Sequence, residues 1–148
     1  MTLTLNSAAA VLSEHNLLRE IINGDSWQLD TAHIDGTDTP FTNLTYDTRT
    51  VVPNTLLVCK GRFRPEFLDG TEERGLAAYV AESDLSSHTT KPGLIVNDAR
   101  KALSLLAAAF YDHPERDLTV IGITGTKGKT TTAYFTQSIL NTYSAGCC

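Results

Sequence analysis

The sequence predicts a mixed α/β fold, and two features of the residue pattern carry this prediction. Over the first 113 residues, short apolar segments with the length of buried strands alternate with segments of helical periodicity. A longer apolar run at residues 118–123 then leads into a glycine-containing loop and a helix-forming stretch that reaches Leu140. We therefore predict a small mixed α/β domain over residues 1–113. Residues 114–148 are predicted to contain the first strand, loop and helix of a second domain.

The N-terminal elements are predicted from apolar spacing and from the residues that start and stop helices. A first helix is expected after an N-cap at Ser7, with a stop at Asn23-Gly24. The residues on its predicted apolar face are Val11, His15, Leu18 and Ile22. Residues 27–34 alternate loosely between apolar and polar and are predicted to form a strand.

The remaining elements of the first domain are predicted in the same way. Buried strands are expected at residues 56–59, 77–80 and 94–96, and a helix at residues 66–74 ends before Gly75. Asp98 is predicted to cap a further helix that Pro114 stops. The apolar face of that helix is formed by Ala99, Leu103, Leu106 and Phe110.

Composition and charge exclude several classes of protein. Of the 148 residues 41% are hydrophobic, which is enough for a packed core, and no apolar stretch has the roughly 20 residues of a membrane span. The net charge is −5 and the cations are scattered, so no nucleic-acid partner is expected. The N-terminus lacks the pattern of a signal peptide, which predicts a cytoplasmic protein. Cys59, Cys147 and Cys148 have no metal-site spacing.

The segment after residues 118–123 has the order of a phosphate-binding strand, loop and helix. Gly125 and Gly128 allow a tight turn whose backbone N–H groups converge on an anion, and the following helix adds its positive end. Lys129 is placed to reach the β- and γ-phosphates of ATP, and the Thr130 hydroxyl to bind Mg²⁺. The literal Walker spacing would need a glycine where Ile123 stands.

Two ordered blocks identify a resemblance. The loop form G-T-x-G-K-T-T resembles the ATP loop of the Mur ligases and of the related folylpolyglutamate synthases. Residues 44–51, followed by 55–61, resemble the D-S-R-x-V block of the Mur ligase N-terminal domain, which argues against the synthases. Further similar blocks lie at residues 75–82, 95–100 and 111–114, so the resemblance extends from about residue 15 to 143. The chain departs from the family at Thr48, where serine is usual, and at Asn54, where glycine is usual.

The resemblance implies an ATP-dependent ligase of peptidoglycan precursor synthesis. Its expected substrates are UDP-MurNAc-L-Ala-D-Glu, ATP and L-lysine, joined through an acyl phosphate, with ATP and Mg²⁺ as cofactors. Thr48 is expected to bind the UDP substrate, Lys129 to act in catalysis, and Thr130 to bind the metal. The expected ATP-binding residues are Gly125, Thr126, Lys127, Gly128, Lys129, Thr130 and Thr131.

Several alternatives remain open. A ligase that adds meso-diaminopimelate, a different Mur ligase, and a P-loop NTPase outside the family are also compatible with the loop. Because a single strand and helix cannot complete a sheet, we expect an N-terminal fragment of a longer enzyme. Such a fragment is expected to bind without catalysis, and the full-length enzyme is expected to be a monomer. Asp47 and Arg49 are expected to form a structural pair, whereas Lys60 and Lys127 are each candidates for phosphate contact or for solvent exposure.

Overall fold

The computed structural model describes residues 2–24 and 26–143, and it divides into two compact units, Met1–Pro114 and Glu115–Cys148. The predicted mixed α/β class is confirmed: the first unit is built on a six-stranded sheet with two α-helices. The interpretation of Cys147 and Cys148 lies outside the described residues. In the part of the chain that the structure describes, no helix is long and apolar enough to cross a membrane.

The α-helices are α1 (Leu5–Glu14), α2 (Ala99–Phe110) and α3 (Lys129–Tyr143). The strands are β1 (Leu18–Asn23), β2 (Ser26–Gln28), β3 (Asn43–Thr45), β4 (Thr55–Val58), β5 (Leu76–Ala81) and β6 (Gly93–Val96). Short 3₁₀ turns lie at Thr48–Thr50, Pro65–Leu68 and Pro114–Arg116.

The sheet has the strand order β2-β1-β6-β5-β4-β3. Strands β3, β4, β5 and β6 are mutually parallel, whereas β1 runs antiparallel to both β2 and β6. The carboxyl ends of the four parallel strands therefore meet at one edge of the sheet, which we call the carboxyl edge. The residues that follow these strands there include Tyr46, Lys60, Glu82 and Asn97.

The two faces of the sheet are covered in different ways. On one face, Leu12 of α1 and Leu106 of α2 pack with Leu56 and Val58 of β4. Because side chains alternate along a strand, the neighbouring Leu57 points to the other face and belongs to a second core. Both cores are formed by residues of the first unit.

The second face is covered by connecting segments and not by an α-helix. Leu68 and Leu85 come from the segments after β4 and β5, and they pack with Leu57 and Tyr79 of the sheet. Cys59 lies in the same core, where burial raises the pKa of its thiol to about 12. The thiol therefore stays protonated and serves as a small apolar group.

The two covering segments are tied together by polar contacts. The Glu72 carboxylate accepts hydrogen bonds from the Thr89 hydroxyl at 2.6 Å, the Thr90 backbone N–H at 2.6 Å and the Thr90 hydroxyl at 3.0 Å. His88 Nδ1 lies 3.0 Å from Asp69 Oδ1. These contacts join the segment after β4 to the segment after β5, so that both segments stay packed on the second core.

The predicted helix through Ile22 is wrong. Helix α1 ends at Glu14, and the second half of the predicted apolar face lies in strand β1. The reason is Asn16, whose left-handed φ of 56° turns the chain out of the helix. The N-cap is Thr4, and Ser7 is the third helical residue, whose hydroxyl completes the capping box.

Residues 118–123 form no strand, so this prediction is wrong as well. A strand needs a hydrogen-bonded neighbour, and among the described residues of the second unit no segment pairs with this one. Val120 is 71% exposed, and no described residue after Pro114 is buried. The apolar run has the composition of a buried strand without the partner strands that would bury it.

Two other predicted elements are shorter than expected. Of the predicted strand at residues 27–34, only Trp27 and Gln28 pair in the sheet, as part of β2. A 3₁₀ turn at Pro65–Leu68 replaces the helix predicted at residues 66–74. Gly70 adopts a φ of 72°, which no helix can accommodate. Strands β4, β5 and β6 and helix α2 are confirmed.

Candidate functional site

A cavity of about 620 Å³ opens at the carboxyl edge, beside the ends of β3 and β4. Since β3 and β4 are parallel neighbours, the segments that follow them meet there. The first segment supplies Tyr46, Asp47, Thr48 and Arg49, and the second supplies Lys60, Arg62, Phe63 and Phe67. The cavity therefore combines aromatic rings, cations and the hydroxyls of Tyr46 and Thr48 at the kind of edge where ligands bind in open α/β sheets.

Asp47 and Arg49 form a bidentate ion pair in the lining of the cavity. Arg49 Nε donates to Asp47 Oδ1 at 2.9 Å and Nη2 donates to Oδ2 at 2.6 Å, while the Arg49 backbone N–H donates to Oδ1 at 3.0 Å. These bonds, first the side-chain bonds and then the backbone bond, hold the pKa of Asp47 at about 2. The expected structural pair is present, and it neutralises the only carboxylate in the lining.

Thr48 differs from Thr45 and Thr50 because its hydroxyl forms no hydrogen bond with the residues that the structure describes. The cap of the 3₁₀ turn Thr48–Thr50 is the Asp47 side chain, and the Thr50 hydroxyl bonds to the Asp47 carbonyl at 2.9 Å. Among the described residues, none forms a hydrogen bond with the hydroxyl of Thr48, which is half-buried in the cavity lining. Local capping of the turn therefore does not account for this hydroxyl.

Aromatic and cationic side chains form the rest of the lining. Lys60 Nζ lies 3.7 Å from the centre of the Tyr46 ring, a cation–π contact that joins the two segments. The rings of Phe63 and Phe67 meet edge to face with centroids 5.7 Å apart. Tyr46 and Phe67 are 58% and 49% exposed, so each ring keeps surface that a planar ligand could contact, although Lys60 covers one face of Tyr46. The sequence pattern did not predict that Phe63 and Phe67 belong to the site. The feature that could have indicated them is their position shortly after a buried parallel strand.

The Asp47–Arg49 pair predicts an acid-sensitive turn. Because the folded-state pKa of Asp47 is depressed, its stabilising contribution is fully present above the ordinary value of 3.8 and is lost as the pH falls through about 2. An NMR titration of the Asp47 carboxyl carbon is expected to give a midpoint near 2. Replacing Arg49 with alanine should move the midpoint toward 3.8. A midpoint near 3.8 in the unchanged chain would contradict the ion pair.

The second candidate site is the glycine-containing loop before α3. Gly125 and Gly128 have φ values of 147° and 79°, as the predicted tight turn requires, and a Cβ on Gly128 would meet nothing within 4 Å. Helix α3 begins at Lys129, whose ammonium reaches back to the Gly125 carbonyl at 2.6 Å. The ammonium thus lies at the mouth of the loop, within reach of an anion held by the loop amides.

The threonines after the loop divide into two groups. The hydroxyls of Thr132 and Thr136 donate to the carbonyls four residues earlier, at 3.0 and 2.9 Å. Within the described residues, the hydroxyls of Thr130 and Thr131 make no hydrogen bond, which leaves them available in the first turn. Among the described residues, no group of three His, Cys, Asp or Glu side chains could hold a metal ion. Thr130 is therefore a candidate for one metal ligand and does not belong to a complete set of ligands.

Comparisons with known proteins give strong matches over nearly the whole chain, although no protein-family profile matches it. The chain is 64% identical over 146 residues to the UDP-N-acetylmuramyl-tripeptide synthetase of Bifidobacterium longum. The aligned region covers 99% of the chain and 28% of that protein. It is 45% identical over 141 residues to the protein of the same name from Latilactobacillus sakei, covering 95% of the chain and 25% of that protein.

A third relative has a more specific name. The UDP-N-acetylmuramoyl-L-alanyl-D-glutamate–L-lysine ligase of Enterococcus faecalis is 41% identical over 142 residues, covering 95% of the chain and 28% of that protein. The chain thus spans about a quarter of the length of the curated relatives it matches. With identities up to 64% over nearly all of its residues, the chain belongs to the UDP-N-acetylmuramyl-tripeptide synthetase family of Mur ligases.

Proposed function

We propose that this chain carries the UDP-substrate domain and the ATP loop of a ligase that adds L-lysine to UDP-MurNAc-L-Ala-D-Glu at the expense of ATP. The amino acid in this proposal follows the printed name of the Enterococcus faecalis relative. Unit Met1–Pro114 would be the substrate domain, and unit Glu115–Cys148 the start of the ATP-binding domain. We place the enzyme in the cytoplasm, because its nucleotide substrates are cytoplasmic small molecules, and we propose that the full-length enzyme is a monomer.

The observation that carries the proposal is the unengaged Thr48 hydroxyl inside a cavity of matching chemistry. The exposed ring surfaces of Tyr46 and Phe67 could stack with a uracil base, and the positive charges of Lys60 and Arg62 could bind its diphosphate. Thr48 is the residue that the family resemblance assigns to this substrate. The aromatic rings, cations and hydroxyl therefore fit a pyrimidine nucleoside diphosphate.

The loop at residues 125–131 fits the phosphates of ATP. Its two glycines have the required backbone conformation, Lys129 lies at the loop mouth, and the free hydroxyl of Thr130 suits a hard cation such as Mg²⁺. When bound, the magnesium nucleotide would supply the phosphoryl group that activates the D-glutamate carboxylate. The task of Lys129 is to hold and neutralise the phosphate oxygens.

A hydroxyl deletion at Thr48 tests the substrate site. Thr48→Val keeps the side-chain shape, so its expected effect is the loss of one hydrogen bond to a charged group, about tenfold or more in affinity for UDP-MurNAc-L-Ala-D-Glu. Calorimetric titration of the 148-residue chain measures this loss. Thr48→Ser is the matched control and is expected to bind at least as well as the original chain. Equal affinities for the valine variant and the original chain, with folding intact, would refute the role of Thr48.

A further inference from the structure

Arg100 lies next to the candidate substrate cavity but outside its lining. It is an exposed residue in the first turn of α2, and α2 follows the carboxyl end of β6. Its Nη2 atom is 3.9 Å from the point where a Cβ on Gly61 would stand. Gly61 has a φ of 69° and directly follows Lys60. The guanidinium of Arg100 therefore lies beside the backbone that directly follows Lys60. The Lys60 ammonium itself lies 3.7 Å from the centre of the Tyr46 ring.

The N-terminus of α2 is already satisfied without the Arg100 side chain. Asp98 Oδ1 accepts hydrogen bonds from the backbone N–H groups of Arg100 and Lys101, both at 3.0 Å. Glu82 Oε1 accepts from the backbone N–H of Ala99 at 2.9 Å. The helix amides are thus occupied, and a ligand at this position would be recognised by the side chain of Arg100.

Among the described residues, the guanidinium of Arg100 forms no ion pair, in contrast to Arg49 and Lys101. Arg49 is paired with Asp47 at 2.6 Å, and Lys101 lies 3.9 Å from Asp98 Oδ2. No carboxylate among residues 2–24 and 26–143 forms an ion pair with Arg100. The Asp98 carboxylate attracts the Arg100 guanidinium without forming an ion pair with it. The same carboxylate already accepts hydrogen bonds from two backbone N–H groups and lies near the Lys101 ammonium.

We infer that Arg100 joins Lys60 and Arg62 in holding the diphosphate of the nucleotide substrate, over the backbone of Gly61. This inference rests on the proposed function and adds α2 to the substrate site. Guanidinium groups bind phosphate oxygens in a bidentate manner, and Arg100 has its donors free to do so. Gly61 has no side chain that would separate the phosphates from Arg100. The base then occupies the aromatic part of the cavity, and the rest of the substrate continues toward α2.

Calorimetric titration of the 148-residue chain with uridine and with UDP tests this assignment. Arg100→Ala is expected to weaken UDP binding about tenfold and to leave uridine binding within a factor of about two, because uridine has no phosphate. Lys101→Ala is the matched control, since it removes the neighbouring charge of the same helix, and it is expected to leave both affinities unchanged. Arg100→Lys is expected to restore part of the UDP affinity.

Each other outcome has a defined meaning. Unchanged UDP binding in Arg100→Ala, alongside weakened binding in Thr48→Val, would overturn the role of Arg100 and leave the proposed function standing. Equal losses for uridine and UDP would show a structural effect and overturn it too. Inorganic pyrophosphate binding as tightly as UDP would show an anion site independent of the nucleotide cavity, and it would overturn the inference. If the unchanged chain binds neither uridine nor UDP, both this inference and the proposed substrate site are wrong.

Discussion

Replacing Lys129 with alanine is expected to lower the ATP-dependent ligase activity of the proposed full-length enzyme by about 10²–10³-fold. The ammonium lies at the mouth of the loop, 2.6 Å from the Gly125 carbonyl, where it can bind phosphate oxygens as their charge redistributes. The measurement is phosphate release in the presence of ATP, Mg²⁺, UDP-MurNAc-L-Ala-D-Glu and L-lysine. The loss should appear in kcat more than in the KM for L-lysine.

Lys127→Ala is the matched control for the Lys129 substitution. It removes the same charge from the same loop, but Lys127 is exposed and makes no hydrogen bond among the described residues. If Lys127→Ala lowers the activity as much as Lys129→Ala, the loop acts through its total charge and not through one positioned ammonium. An active Lys129→Ala enzyme would refute the assignment of the loop.

Replacing Gly93 with alanine is expected to lower the free energy of unfolding of the first unit by about 1–3 kcal/mol. A Cβ at this position would lie 2.2 Å from Cζ of Tyr79, the residue paired with Gly93 across β5 and β6. The ring cannot yield easily, because it is fully buried and its hydroxyl accepts a hydrogen bond from the Leu85 backbone N–H at 3.4 Å. Urea unfolding followed by circular dichroism measures the change.

The ring contact predicts a specific coupling. Tyr79→Leu also destabilises the chain, but Gly93→Ala should cost less in that background, because the clashing ring is absent. Gly24→Asn is a control for glycine replacement, since a Cβ at Gly24 meets nothing within 4 Å and asparagine tolerates its φ of 59°. Strictly additive losses in the double variant would show that the ring is not the cause.

Elements with a strong local signal were predictable from the sequence. The apolar runs of β4, β5 and β6 are buried at every position except the half-buried Ala77, so their composition alone identifies them as strands. Helix α2 has a clear face and an acidic N-cap, Asp98, whose carboxylate accepts bonds from two backbone N–H groups. Asn54 has a φ of 61°, as expected for a residue that replaces a glycine.

The incorrect predictions have tertiary causes. The residues from Leu18 to Ile22 have helical spacing by chance, and their pairing with β6 makes them a strand. The apolar run at residues 118–123 has the right composition but no partner strand in its unit. Periodicity describes one segment at a time, whereas strand formation depends on a second segment that periodicity does not identify.

The candidate site was predicted only in its motif residues. Thr48 and the loop at residues 125–131 were named from the resemblance, and their roles remain predictions. The contact of Lys60 with Tyr46 and the approach of Arg100 to Gly61 depend on which strands are neighbours. Each pair is distant in sequence and meets only because β3, β4, β5 and β6 are parallel and adjacent.

The covering of the second sheet face by connecting segments limits where the chain can be lengthened. Surface loops ordinarily accept inserted residues at little thermodynamic cost, because closing a longer loop costs little additional entropy. The segments that contain Leu68 and Leu85 are different, since they are part of a core and are linked through Glu72. A peptide tag inserted in either segment would displace buried side chains.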